Sequence, residues 1–109
     1  MKRGEVWWVR FSPSVGREIQ KKRPALIVSN DASNKYLNRV QVVPLTRHVE
    51  RVYPSEAEVT LNGRPNKAMA DQLTTVSKVR LTKLAGRLTS SDIRRVEHAI
   101  RVQLGLSEA

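Results

Sequence analysis

The chain contains no cysteine. That excludes a disulfide framework, a thiolate zinc site and a thiol nucleophile. Histidine is scarce, with only His48 and His98. The carboxylates are scattered without ligand spacing, so neither a metal centre nor another cofactor is expected. None of the five glycines belongs to a phosphate-cradling loop. No apolar run approaches the roughly 20 residues of a membrane span. The apolar run in MKRGEVWWVRF is four residues, too short for a signal peptide. A cytoplasmic protein that does not enter the membrane is therefore expected. Repeats and low-complexity tracts are also missing.

Positive charge is what the chain has in excess. Twenty Lys+Arg against ten Asp+Glu leave a formal charge of +10. Residues 1–55 carry +7 of it and residues 56–109 carry +3. A small domain this basic is expected to meet a polyanion, because neutralising phosphates releases counterions. The 39% apolar and 28% charged composition is that of a folded protein. At 109 residues it forms one domain, 1–109, with a modest core.

Hydrophobic alternation outlines the elements. Glu5 to Phe11 reads as a strand with Trp7, Val9 and Phe11 on one face and Val6, Trp8 and Arg10 on the other. A loop follows over Ser12 to Lys22. Pro24 to Ser29 is apolar throughout, a strand covered on both sides. Asn30 or Asp31 can cap a short helical turn. Arg39 to Thr46 is a third strand, whose Pro44 cannot donate to a ladder and implies an edge or bulge. Ala57, Val59 and Leu61 alternate with Glu56, Glu58 and Thr60, and Asn62-Gly63 signals a hairpin. Strands are expected over Lys67 to Leu73 and near Ala85 to Leu88. Only the end is helical: Thr89 and Asp92 are spaced as a capping box, Ile93, Val96, Ile100 and Leu104 share a face, and Gly105 closes it. Five or six short strands and a C-terminal helix make a mainly β (α+β) fold, a small bent sheet or barrel.

Candidate functional residues fall at strand ends. KKRPALIVSN places Lys21, Lys22 and Arg23 before the second strand, and Thr46 closes the third. An arginine fork matches a phosphate, and a threonine hydroxyl can donate to it. Asp71 and Gln72 interrupt an apolar segment, where a buried carboxylate needs a partner. His48, just past the third strand, is a candidate substrate contact, whereas His98 reads as structural or surface. The residues alone leave two readings open: a phosphate-handling site, or a solvated KKR loop with Asp71 paired to an arginine and Thr46 an ordinary β-residue.

The same positions carry a family likeness. RGEVWWVRF, KKRPALIVSN, VVPLT, YPSEAEVTL and NKAMADQL followed by KVRLTKLAGRLT occur in the order seen in MazF/PemK-type toxins. The chain resembles these endoribonucleases of bacterial type II toxin–antitoxin pairs over nearly its whole length. The resemblance implies a small SH3-like barrel and a homodimer. It implies metal-independent cleavage of single-stranded messenger, transfer or ribosomal RNA at specific sequences. The 2′-OH attacks the adjacent phosphate to leave a 2′,3′-cyclic phosphate and a 5′-OH end, which inhibits translation. It assigns Arg23 and Thr46 to catalysis, with Arg23 neutralising the phosphate and protonating the leaving oxygen, and Glu18 as general base. Lys21, Lys22, Ser29, His48, Asp71 and Gln72 are assigned to substrate. An acidic MazE-like antitoxin would compete with RNA, and DNA would be met only through the antitoxin complex. Two alternatives are a gyrase-poisoning toxin of the CcdB type and a non-catalytic RNA-binding barrel. The first works through a C-terminal tryptophan that LGLSEA does not supply. The second would not require Arg23 and Thr46 together.

Overall fold

A computed structural model describes residues 1–11 and 22–107. Its strands are β1 (Glu5–Arg10), β2 (Lys22–Ile27), β3 (Arg39–Thr46), β4 (Glu56–Leu61), β5 (Arg64–Met69), β6 (Thr74–Ser77) and β7 (Leu81–Arg87). Two α-helices join them, α1 (Asp31–Tyr36) and α2 (Ser90–Leu104). All pairings are antiparallel, in the order β4-β5-β3-β2-β1-β7, with β6 also on β3. The sheet curls into a half-barrel, the expected fold class, with two β-rich stretches that the pattern missed: β6, and the first half of β7.

The central strands are apolar on both faces because both faces are covered. Along β1, β2 and β3 the even–odd alternation sends Val6, Leu26, Val43 and Leu45 into one core and Val9, Ala25, Ile27, Val40 and Val42 into another. Trp7 and Phe11 pack on the second core, as their shared parity with Val9 requires. Helix α2 closes the first core with Val96 and Ala99, both buried. Ile93 and Ile100 pack beside them, whereas Leu104 lies in the last turn and is 53% exposed. Its position on the apolar stripe does not bury it.

Local chemistry explains the connections. Asn62 (φ 52°) and Gly63 (φ 79°) are both left-handed, the two-residue turn that Asn-Gly favours between β4 and β5. Asn30 caps α1 by accepting the Ser33 N–H. Thr89 caps α2 by accepting the Asp92 N–H at 3.1 Å. Asp92 accepts the Thr60 N–H of β4 at 2.9 Å, so this carboxylate ties the helix to an edge strand. Pro44 lies in the central strand β3 rather than at a sheet edge. It falls between Val42, paired with β6, and Leu45, paired with β5, where β3 changes neighbour and a missing N–H costs least.

Three carboxylates make acid the weak side of this fold. Burial alone would raise the pKa of Glu5, but Trp7 Nε1–H and the Lys2 N–H donate to it, and the N-terminus and Arg87 add positive charge; the result lies below the ordinary 4.5. Glu56 is likewise lowered despite burial, by the Tyr53 N–H and Lys67. Asp31 is lowered first by the Arg3 N–H and then by Asn34. A lowered carboxylate stabilises the fold above its unfolded pKa and loses that contribution as pH falls through its folded pKa. Melting temperature should therefore hold steady down to about pH 5 and decline below it, and Glu5→Gln should flatten the decline. An acid-insensitive melt would contradict this assignment.

Candidate active site

The β2–β3 register decides what stands opposite what. Ala25 pairs with Pro44 and Leu26 with Val43, so extending the ladder by two residues sets Arg23 across from Thr46. Directly opposed residues share a face and lie within reach of one another. Both line a cavity of about 520 Å³. Its floor continues the first core through Leu45 and Leu61, and Lys22, Arg23, Arg47 and Arg64 supply its charge. No carboxylate is among the described lining residues.

The side chains are disposed to hold an anion. The larger carboxylate pairs lie elsewhere: Arg3–Glu97 at 2.9 Å, Lys67–Glu56 at 3.0 Å and Arg87–Glu5 at 3.3 Å. Among the described residues, Arg23 and the other three lining cations make no ion pair, which leaves their charge for a ligand. Thr46 is buried, with only 9% exposed, and its Oγ1 accepts the His48 N–H at 3.3 Å. That bond uses a lone pair and leaves the hydroxyl proton to donate. A half-buried guanidinium facing such a hydroxyl in a cation-lined cavity suits a phosphate.

Of the remaining sequence candidates, the structure brings Lys22 and His48 into the same cavity. Glu18 and Lys21 lie outside the described residues. Ser29 is six residues beyond Arg23, roughly 20 Å along an extended strand. It donates to Asn34 and accepts the Gln41 N–H at 3.0 Å, bonds that fasten α1 to β3. Asp71 and Gln72 are not inside a strand. β5 stops at Met69, and a 3₁₀ turn over Ala70–Gln72 leaves both exposed, so Asp71 needs no buried partner. They do not line the cavity. His98 lies exposed on α2, away from His48, so a paired-imidazole site is not formed. Trp8, Asn62, Arg64 and Asn66 were missed as cavity residues. Only parity on β1 and the Asn-Gly turn hinted at them, because the hairpin meets the far end of the sheet only in three dimensions, where Asn62 Nδ2 donates to the Ala85 carbonyl of β7 at 2.8 Å.

Comparison with known proteins gives a consistent result. The profile of the PemK-like, MazF-like toxins of type II toxin–antitoxin systems matches residues 2–104. The chain is 33% identical over 115 aligned residues to endoribonuclease MazF9 of Mycobacterium tuberculosis, covering 97% of this chain and 98% of that protein. It is 28% identical to endoribonuclease EndoA of Bacillus subtilis, covering 97% and 96%. A mycobacterial endoribonuclease solved in complex with its cognate antitoxin superposes with a TM-score of 0.83 at 25% identity, covering 100% of this chain and 99% of that one. A MazE-MazF complex from Deinococcus radiodurans superposes at 0.78 with 26% identity, covering 98% of each chain.

Proposed function

Because this chain belongs to the PemK-like, MazF-like toxin family, we propose that it cleaves single-stranded RNA at specific sequences without a metal ion, inhibits translation, and is neutralised by an acidic antitoxin. It is a MazF-type toxin endoribonuclease of a toxin–antitoxin system. The observation that carries the finer reading is the Arg23–Thr46 pair in a cavity whose described lining has four cations and no carboxylate. Such a lining repels a divalent cation and attracts a phosphodiester.

In this reaction the ribose 2′-oxygen bonds to phosphorus and the phosphorus–O5′ bond breaks. Arg23 and the Thr46 hydroxyl bind the non-bridging oxygens as charge gathers on them, an effect worth a few kcal/mol per positioned donor. The planar, charged fork of Arg23 holds the phosphate throughout. The family likeness also assigns to Arg23 the proton delivered to the leaving O5′. His48 lines the same cavity, where its imidazole is a further candidate contact to the substrate. The family likeness assigns Glu18 as the general base that takes the 2′-OH proton.

The protein works as a cytoplasmic homodimer in this reading. Exposed Val102, Leu104 and Leu106 at the end of α2 support an apolar association surface. The test of the reaction is incubation with a long RNA in EDTA, followed by mapping of the ends. Cleavage should persist and leave 2′,3′-cyclic phosphate and 5′-OH termini. Strict dependence on a divalent ion, or 5′-phosphate ends, rejects this chemistry. Lys22→Gln should flatten the salt slope of RNA binding by about 0.7, the single-strand value for one phosphate contact. Its turnover at saturating RNA should be unchanged, since uniform binding is lost from ground and transition states alike.

A further inference from the structure

The cations account for the phosphate; the cavity also contains an uncharged polar residue that the fold does not explain. Asn66 occupies a position on β5 in step with the buried Ala68, yet it is polar and only 3% exposed. A buried amide is costly unless its groups are bonded. Its Nδ2 donates to the Arg64 carbonyl at 3.2 Å, which identifies the nitrogen end of the amide. Among the described residues its Oδ1 accepts nothing. Asn66 lines the cavity, and no partnerless side-chain oxygen is sealed among the described residues.

Trp8 lines the same cavity from β1, beside Pro24, and is 37% exposed. An exposed indole face at a phosphate site is a platform on which a nucleobase stacks. The cavity volume of about 520 Å³ falls within the range of about 300–1,000 Å³ typical of small-ligand sites.

We propose that Trp8 and Asn66 form a base-reading subsite for a nucleotide flanking the scissile phosphate. Trp8 stacks on the base, and Asn66 Oδ1 accepts a hydrogen bond from its exocyclic amino group. Uracil carries no exocyclic amino group, and in a pose that presents such an amine to Oδ1 a uracil carbonyl oxygen takes its place, so uridine is disfavoured. The inference rests on the RNA-cleaving reading above. It places part of the specificity on a rigid strand, where the side chain is held by Arg64.

The test begins by mapping wild-type cleavage sites on a long RNA. At one flanking position, adenine, cytosine or guanine should dominate, with uridine depleted about tenfold or more. A short RNA lacking that one amino group should lose about tenfold in kcat/KM with the wild-type protein and little with Asn66→Ala, because the two deletions remove the same bond. Trp8→Ala should raise KM, and Trp8→Phe should restore most of it. Should Asn66→Ala fail to fold, the amine-deleted RNA still reports on the wild-type protein. Uridine tolerated at both flanking positions, or full-rate cleavage of the amine-deleted RNA, overturns the subsite and leaves the nuclease intact. A wild-type protein that cuts no RNA overturns the nuclease reading and the subsite with it.

Discussion

Arg23→Ala is expected to cut RNA a hundredfold or more slowly than the wild type while melting at a similar temperature. Loss of a preorganised donor to developing charge costs about 10²–10³ in turnover. Arg23 is half-buried at the rim of the cavity and has no ion pair among the described residues, so its removal leaves no buried partner stranded. Arg23→Lys should recover little, since an ammonium does not reproduce a planar, bidentate fork. Thr46→Ala should fall in the same way, and Thr46→Ser should recover activity because it retains the hydroxyl. Turnover at saturating RNA is the quantity to measure. Normal turnover in both alanine variants would falsify the site.

Leu26→Ala, three residues further along the same strand, should behave in the opposite way. Leu26 is fully buried in the first core and is not among the residues that line the cavity. Truncating a buried leucine costs about 2–5 kcal/mol, from lost transfer energy and an unfilled space. For a chain of this size that corresponds to a fall of the order of 10–20 °C in melting temperature. Below that melting point the cleavage rate per folded molecule should be close to wild type. A thermal melt and a turnover assay on the same preparation separate the two effects. A small shift in melting temperature would mean that the core around β2 is more plastic than its packing indicates.

These two variants show why one strand can be read so differently at its two ends. In PALIV the apolar run announces burial on both faces, and Leu26 and Ile27 are indeed fully buried in separate cores. The Asn-Gly turn, the Thr89 cap and the Gly105 stop were equally legible, because each depends on chemistry within a few residues. Pro44 was legible only in part. Its missing N–H implied a gap in a ladder, but the gap lies inside the sheet, where β6 gives way to β5. Strand β6, four residues of TTVS, offered too little alternation to be seen.

The sequence by itself determined the local grammar of this protein: where strands alternate, where turns and caps form, and that the chain carries a net charge of +10. It also displayed the motifs that tie the chain to its family. Only the tertiary structure decided which residues meet. Arg23 and Thr46 are 23 positions apart and become neighbours through a register set by pairs further along the ladder. Asp71 left the buried strand expected of it because a 3₁₀ turn begins at Ala70. Asn66 and Trp8 joined the cavity because the curl of the sheet brings the β4–β5 hairpin near β7, where Asn62 bonds the Ala85 carbonyl. The physical reason is one of range: propensity, capping and alternation act over a few residues, whereas register and curl are collective properties of strands that must bury both faces at once.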